Sequence, residues 1–292
     1  MALDQQRHEL FDNLFSLEGE VAIVTGGMGL LGSQYAVTLA QAGAKVIIID
    51  LKVDISGWTE KWRRNGYRIY NFACDITNKS EVEDFLRFAC QMCGTPTILI
   101  NNAGIDSRPD APTSDNGRFE DYSEATWHAV LDSHLTGMFL MSQEFIRTFR
   151  ADRDAGKISR DRWGKIVNIS STYGVVSPDQ SIYDFRREGS DKDYNKPVGY
   201  SVAKSGVLNF TRWLAGYCGY HQLNIRVNTL VPGGVREGGQ DPRFINEYEK
   251  RAMLRRMANP DDYNGAILFL VSEASRYMTG STMVVDGGWT AL

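Results

Sequence analysis

No apolar run in this chain approaches the roughly 20 residues that cross a bilayer, so no membrane partner is expected. The amino-terminal stretch MALDQQRHELFDNLF is broken by charge and lacks the apolar centre of a signal peptide, which makes a cytoplasmic location the default. Neither charge is in surplus: 32 Lys and Arg stand against 36 Asp and Glu, for a net charge of −4. No nucleic acid is expected as the main partner, because neutralising a phosphate backbone takes a clustered cationic excess. Cysteine is scarce. Of the four, Cys90 and Cys93 form a CxxC near the end of an apparent helix, EVEDFLRFACQMCG, and no second pair follows. A zinc or redox motif needs a second ligand pair or a strand-to-helix setting, so these read as reduced thiols and no metal is expected. Repeats, biased tracts and a linker are missing as well, which points to a single domain over 1–292 with an extension at 1–16.

What is present is a globular composition, 42% hydrophobic and 23% charged, on 292 residues. A chain of that length buries about three quarters of its unfolded surface. Short runs rich in Val and Ile alternate with helical stretches. Strands are expected at 20–26, 45–50, 67–75, 97–104, 164–171, 223–234 and 281–288. Helices are expected at 31–42, from 79, at 123–150, 198–220 and 261–272. Strands apolar on both faces and separated by helices predict an α/β fold: a doubly wound, Rossmann-type domain with a seven-stranded parallel sheet covered on both sides. Two polar stretches, 106–122 and 178–196, look like insertions.

The first strand runs into Thr25-Gly26-Gly27-Met28-Gly29-Leu30-Leu31-Gly32. Glycines there let the backbone turn sharply and approach a pyrophosphate, and the helix that follows offers free N–H groups and a positive dipole end. Asp50 closes the second strand, where a carboxylate accepts from ribose hydroxyls and repels a 2′-phosphate. The cofactor expected is NAD in preference to NADP, with Lys52 close enough to soften the preference. A tight turn with a capping Asp and no nucleotide is the bland alternative.

Tyr200 and Lys204 stand four apart in YSVAK, which puts both on one face of a helix. A phenol is a weak base near its reference pKa of about 10, and an adjacent ammonium stabilises the phenolate. Such a pair exchanges a proton with an alcohol or carbonyl. Tyr183 and Arg187 repeat the spacing in YDFRR, but arginine does not shift its pKa as lysine does and no helix pattern surrounds them.

The order of motifs is specific: a glycine cradle, NNAG at 101–104, NISS at 168–171, YxxxK at 200–204 and VPGG at 231–234, all at strand ends. From about residue 17 to 288 this order resembles the short-chain dehydrogenase/reductase family. The resemblance implies that Tyr200 is the acid/base. It implies that Lys204 lowers the phenol's pKa and holds the nicotinamide ribose, and that Ser171 hydrogen-bonds the reacting oxygen. Gly26, Met28, Gly29, Leu31 and Gly32 would hold the pyrophosphate. Asp75 and Ile76 match the pair that meets adenine, Asn102, Ala103 and Gly104 would line the cofactor, and Pro232, Gly233 and Val235 would flank the nicotinamide. A homotetramer or homodimer is implied too, with the helices at 123–150 and 198–220 available to pair across subunits.

The chain departs from the family pattern in four places. Its glycines fall as GxxGxxG, the spacing of longer sugar-nucleotide epimerases and dehydratases, with Leu30 at the usual glycine position. His134 replaces an Asn that bends a helix and holds a water in the proton relay. It reads either as a titratable relay group or as a kink histidine bonded to a carbonyl. Glu237 stands where a Thr often meets the carboxamide. The insertion 178–196 separates Ser171 from Tyr200 and reads either as a substrate lid or as a solvated loop of balanced charge. Its cations Arg186, Arg187, Lys192 and Lys196 would suit a phosphate-bearing substrate, and a steroid or acyl substrate would call for an apolar lid instead.

Taken together these features predict an NAD-dependent oxidoreductase acting on a secondary alcohol or ketone of a small-molecule substrate. The insertion and the ending VVDGGWTAL resemble a branch found in bacterial sugar and nonulosonate pathways, which implies a sugar, phosphosugar or nucleotide-sugar. An NAD-retaining epimerase or dehydratase, and a non-catalytic NAD-binding sensor or assembly subunit, remain the alternatives.

Overall fold

Successive residues of a strand face opposite sides of a sheet, and in this chain both sides are apolar. A computed structural model describes residues 11–105, 117–187 and 194–291. Its strands are β1 (Val21–Thr25), β2 (Lys45–Asp50), β3 (Ile69–Ala73), β4 (Ile98–Asn101), β5 (Gly164–Ile169), β6 (Ile225–Pro232) and β7 (Thr282–Val285). Helices α1 (Leu30–Gln41), α2 (Trp58–Arg64), α3 (Lys79–Cys93), α4 (Glu124–Leu131), α5 (Gly137–Asp154), α6 (Val198–Tyr220), α7 (Pro242–Arg251) and α8 (Asn264–Val271) connect or follow them.

The seven strands form one all-parallel sheet in the order β3-β2-β1-β4-β5-β6-β7. This is the doubly wound, Rossmann-type arrangement expected from the sequence. On one face Ile23, Ile47, Ile49, Leu99, Ile166 and Val227 pack against Phe85 of α3, Phe145 of α5 and Leu214 of α6. On the other Val24, Val46, Ile48, Ile100 and Val167 pack against Tyr35 and Leu39 of α1 and Ile267 of α8. Alternation along β2 therefore feeds two separate cores. Each fully buried Ile contributes about 1.5–3 kcal/mol of hydrophobic stabilisation.

The order in which successive strands are laid down reverses across the sheet between β1 and β4. A parallel sheet opens a crevice at the carboxyl ends of its strands at such a point.

Helices α2 and α7 lie where none was expected. Both α2 and α7 are short, and α7 shows only Phe244, Ile245 and Tyr248 as apolar positions among charged ones. The helix expected over 123–150 is real but interrupted. Between α4 and α5 a π-turn at Asp132–Thr136 adds an extra residue to the winding and buries His134.

Candidate active site

The carboxyl ends of β1, β4 and β5 are fixed by polar side chains beneath them. Asn101 donates to Asn168 (2.8 Å) and to Ser142 (3.0 Å), Asn168 donates to Thr211 (2.9 Å), and Thr229 donates to Thr211 (2.7 Å). All five are buried, so the network ties β4, β5 and β6 to α5 and α6 in one register. Above it the backbone N–H groups of Asn102 and Ala103 both donate to the Thr25 hydroxyl, and Asn102 Nδ2 donates to the Thr25 and Gly26 carbonyls.

These ends open into a cleft of about 890 Å³. At one end lies the glycine turn. Gly26 has φ +61°, and a Cβ there would stand 2.8 Å from Ala103 Cα. A Cβ on Gly32 would stand 2.2 Å from the Gly26 carbonyl oxygen, so the turn closes only with hydrogen at both positions. Gly29, Leu30 and Leu31 line the cleft where α1 begins, and the altered glycine spacing leaves this helix start open to it. Met28 and Gly32 sit behind the turn: Met28 packs on the apolar core, and its N–H donates to Asp50 Oδ2 at 3.2 Å.

Asp50 lines the cleft and also accepts from the Leu51 N–H at 2.9 Å. Asp75 and Ile76 line it further along, with Asp75 Oδ1 held by the Thr77 N–H and hydroxyl. Asn102, Ala103, Gly104, Pro232, Gly233 and Val235 line it as well. Each residue expected at the cofactor therefore lies in this crevice or directly behind its glycine turn. The shape fits a dinucleotide: a turn that excludes side chains, a helix start, and a carboxylate at the end of the second strand.

Ser171, Tyr200 and Lys204 meet at the other end of the same cleft, although 29 positions separate the first two. Lys204 is buried on α6 and its ammonium donates to the Ile169 carbonyl at 2.9 Å. That ammonium lies 5.8 Å from the centroid of the Tyr200 ring. Ser171 caps a single helical turn at Thr172–Val175, and its hydroxyl accepts from the Tyr173 N–H at 3.3 Å. Gly174 holds that turn against α6, because a Cβ there would meet the Lys204 carbonyl oxygen at 2.5 Å.

His134 reaches the cleft from the π-turn. Its Nε2 lies 3.0 Å from the Ile105 carbonyl. A carbonyl only accepts, so Nε2 carries the proton and Nδ1 is a bare acceptor. Burial, with the Lys204 and Lys196 ammoniums nearby, pushes the imidazole pKa down to about 3. His134 thus makes a backbone-carbonyl contact of the kind the kink reading offers, with its ring packed over Gly104.

The insertion differs more from expectation. Gln180–Arg186 forms a 3-10 helix, so Tyr183 does lie on helical backbone. Ile182, Tyr183 and Tyr194 are buried to 0, 2 and 0% exposure, and they pack with Tyr173, Phe244, Tyr248, Met257 and Trp289. These described residues of the segment are thus packed against the protein and not solvated. Its inward face is an aromatic wall, to which Tyr183 contributes a hydroxyl 3.1 Å from that of Tyr173. Arg186 and Arg187 do not reach the cleft. Arg186 stacks on the Tyr194 ring at 4.6 Å, and Arg187 pairs with Asp184 at 3.1 Å and donates to the Tyr194 carbonyl. Lys196 is the cation of the insertion that lines it among the described residues; Lys192 lies outside them. Glu237 also lines it, beside Gln240, which accepts from the Glu237 N–H at 3.0 Å.

A family profile described as enoyl-(acyl carrier protein) reductase matches residues 29–290. A 2-dehydro-3-deoxy-D-gluconate 5-dehydrogenase of Escherichia coli (strain K12) is 32% identical over 282 residues, covering 95% of this chain and 98% of that one. The chain belongs to the short-chain dehydrogenase/reductase family. Among solved structures, a short-chain dehydrogenase of Leptospira borgpetersenii with bound NAD+ superposes with a TM-score of 0.77 at 31% identity, covering 96% of this chain and 95% of that one. A gluconate 5-dehydrogenase of Burkholderia cenocepacia in complex with NADP and tartrate gives 0.77 at 27% identity, covering 96% and 99%. The aromatic wall draws Tyr183 and Tyr194 from the insertion and Tyr173, Phe244, Tyr248 and Trp289 from outside it. No helix among the described residues is long and apolar enough to cross a membrane.

Proposed function

We propose that the protein is an NAD-dependent dehydrogenase or reductase that interconverts a secondary alcohol and a ketone on a sugar acid. The observation that carries this reading is the convergence of Ser171, Tyr200 and Lys204 on the cleft that also holds the glycine turn and Asp50. A nicotinamide dinucleotide bound along the turn supplies the acceptor or donor of the hydride. The residues for it are Gly26, Met28, Gly29, Leu31 and Gly32 at the pyrophosphate, Asp50 at the ribose, Asp75 and Ile76 at the adenine, and Asn102 to Gly104 with Pro232, Gly233 and Val235 towards the nicotinamide.

Tyr200 exchanges the proton. Its oxygen takes the substrate hydroxyl proton as the carbon is oxidised, and returns it in reduction. The Lys204 ammonium, fixed by the Ile169 carbonyl, stabilises negative charge as it develops on that oxygen. The Ser171 hydroxyl holds the substrate oxygen beside Tyr200. His134 braces the Tyr200 ring and takes no proton. The aromatic wall keeps water from the reacting carbon, which strengthens each of these interactions.

The two related structures hold NAD+ in one case and NADP in the other, so the preference for NAD rests on the Asp50 carboxylate. The sugar acid rests on the gluconate relatives. A homotetramer or homodimer belongs to the same reading. Trp213 and Tyr217 stack on an exposed stretch of α6, with centroids 5.5 Å apart, and light scattering on the purified protein gives the subunit number.

The test is Tyr200→Phe. Turnover of 2-dehydro-3-deoxy-D-gluconate or D-gluconate with NAD falls by about 10²- to 10⁴-fold, the usual worth of a positioned acid/base, while NAD still quenches protein fluorescence with unchanged affinity. Undiminished activity would sink the assignment.

A further inference from the structure

The loop that follows β6 is held by two phenols that do opposite things. Tyr263 donates its hydroxyl hydrogen to the Gly233 carbonyl at 3.0 Å. Tyr248, on α7, accepts instead: the Gly234 N–H donates to its oxygen at 2.5 Å. A hydroxyl carries one hydrogen and two lone pairs, so Tyr263 has spent its hydrogen and Tyr248 has not. Among the described residues no acceptor takes the Tyr248 hydrogen. Tyr248 is only 4% exposed, yet it lines the cleft. Burial, with the Asp286 carboxylate nearby, pushes the phenol up to about 12, so the hydrogen stays on its oxygen through the working range. Packing fixes the phenol in place. Its ring stacks on Trp289 with centroids 4.2 Å apart and planes at 19°. It also presses on Gly234, where a Cβ would meet the ring at 2.6 Å.

We infer that Tyr248 donates its hydroxyl hydrogen to a substrate hydroxyl other than the one that is oxidised, so that the protein selects polyols over simple secondary alcohols. The inference rests on the proposed function and narrows it. A buried donor without an acceptor carries an uncompensated desolvation cost, and a ligand oxygen that meets it in the cleft removes that cost. The position favours the substrate as that ligand. Gly234 follows directly on Gly233, which the proposed function sets towards the nicotinamide, and Tyr248 belongs to the aromatic cluster of Tyr173, Tyr183 and Phe244. The nearby charge favours a hydroxyl over a carboxylate. The Asp286 carboxylate is tied to the Gly288 and Thr290 N–H groups and to the Thr290 hydroxyl, so it stays beside Tyr248. An anion brought to the phenol meets that like charge, whereas a hydroxyl accepts the hydrogen without the repulsion. Tyr248 is thus a specificity residue and takes no part in the proton transfer at Tyr200.

The experiment compares wild type with Tyr248→Phe, which keeps the ring and its stack on Trp289. kcat/KM with NAD is measured on D-gluconate, on its monodeoxy analogues and on D-glucitol; the analogue that lacks the reacting hydroxyl drops out. On D-gluconate the variant loses about 3- to 10-fold, mostly through KM, the worth of one hydrogen bond between uncharged groups. On one deoxy analogue wild type already shows that loss and the substitution adds nothing to it, because phenol and missing hydroxyl are the two ends of one interaction. On the other analogues and on D-glucitol the variant's loss persists. The Gly234 N–H that the substitution leaves without an acceptor weighs on every probe alike and cancels in the comparison. Equal loss on every probe assigns Tyr248 to holding the loop alone and overturns the inference, as does no loss on any. A loss confined to the probes that bear a carboxylate overturns the choice of a hydroxyl. Weaker quenching of protein fluorescence by NAD, with substrate KM unchanged, gives the hydrogen to the cofactor and overturns it too. Each of these outcomes leaves the proposed function standing, whereas no turnover of any sugar acid by wild type overturns both together.

Discussion

The ring of His134 stands on edge to the ring of Tyr200, with centroids 5.5 Å apart and planes at 81°. An edge-to-face contact of this kind orients a phenol without touching its oxygen. It places a neutral, buried histidine behind the residue proposed to move the proton.

From this follows a pH signature. With its pKa pushed from 6.5 down to about 3, His134 stays neutral in the folded chain through the working range. The unfolded chain binds a proton at this position below pH 6.5 and the folded chain does not, so stability falls as pH drops through that window and is complete above it. The slope contributed is about 1.4 kcal/mol per pH unit at most. Urea unfolding at about pH 5 and about pH 7.5 should therefore separate further in wild type than in His134→Asn. By proton NMR, one of the four histidines should show no titration above about pH 5. A His134 signal titrating near neutrality would restore the relay reading.

How much of this could be read beforehand depends on which residues are constrained by backbone geometry. The cradle was legible because Gly26 and Gly32 leave no room for a Cβ, and the strands because β2 reads KVIIID with both faces apolar. Tyr200 and Lys204 were legible because a four-residue step on a helix is local. The aromatic wall was not. Tyr183, Phe185 and Tyr194 lie among charges in the insertion, and their partners Phe244 and Tyr248 are some 50 positions on, in a helix too short and too charged to show a period. Lys196 was visible only as one of four cations, and the clasp that sets its direction, the Lys196 N–H donating to Gln180 Oε1, joins residues sixteen positions apart. The π-turn at His134 likewise has no local signature beyond the residue itself.

Asp50 yields a second prediction. Its two oxygens hold the Met28 and Leu51 N–H groups, so the carboxylate is fixed where the second strand meets the glycine turn. A 2′-phosphate brought there meets a like charge that cannot swing away. Asp50→Ser keeps an acceptor for the turn and removes the charge. The ratio of kcat/KM for NADP to that for NAD should rise by about 10- to 100-fold, since like charges juxtaposed in a site cost several kcal/mol. Steady-state kinetics with both cofactors measures it, and a ratio that does not move would shift cofactor choice to another residue such as Lys52.

The last prediction concerns the roof of the cleft. Arg251, at the end of α7, reaches the insertion and its own helix: Nε donates to Asp179 Oδ2 at 2.5 Å, Nη2 to the Ser181 hydroxyl at 2.7 Å, and Nη1 to Glu247 at 3.0 Å. The Ser181 hydroxyl and N–H together with this guanidinium hold the Asp179 carboxyl below the usual carboxylate range, so the latch stays ionised into mild acid. Beneath it the Tyr183 and Phe244 rings stack with centroids 5.5 Å apart and planes at 21°. The described part of the insertion and α7 are thereby joined beside the substrate end of the cleft. Arg251→Met removes the polar latch and leaves the stack. The ion pair is partly exposed, so its loss should raise the substrate KM by no more than about fivefold. NAD affinity should not change, and cleavage of the insertion by trypsin should quicken. Because salt screens such a pair, wild-type KM should drift towards the variant's value as ionic strength rises, whereas the variant's should stay level. A variant with unaltered KM and unaltered proteolysis would show that the aromatic stack alone closes the roof.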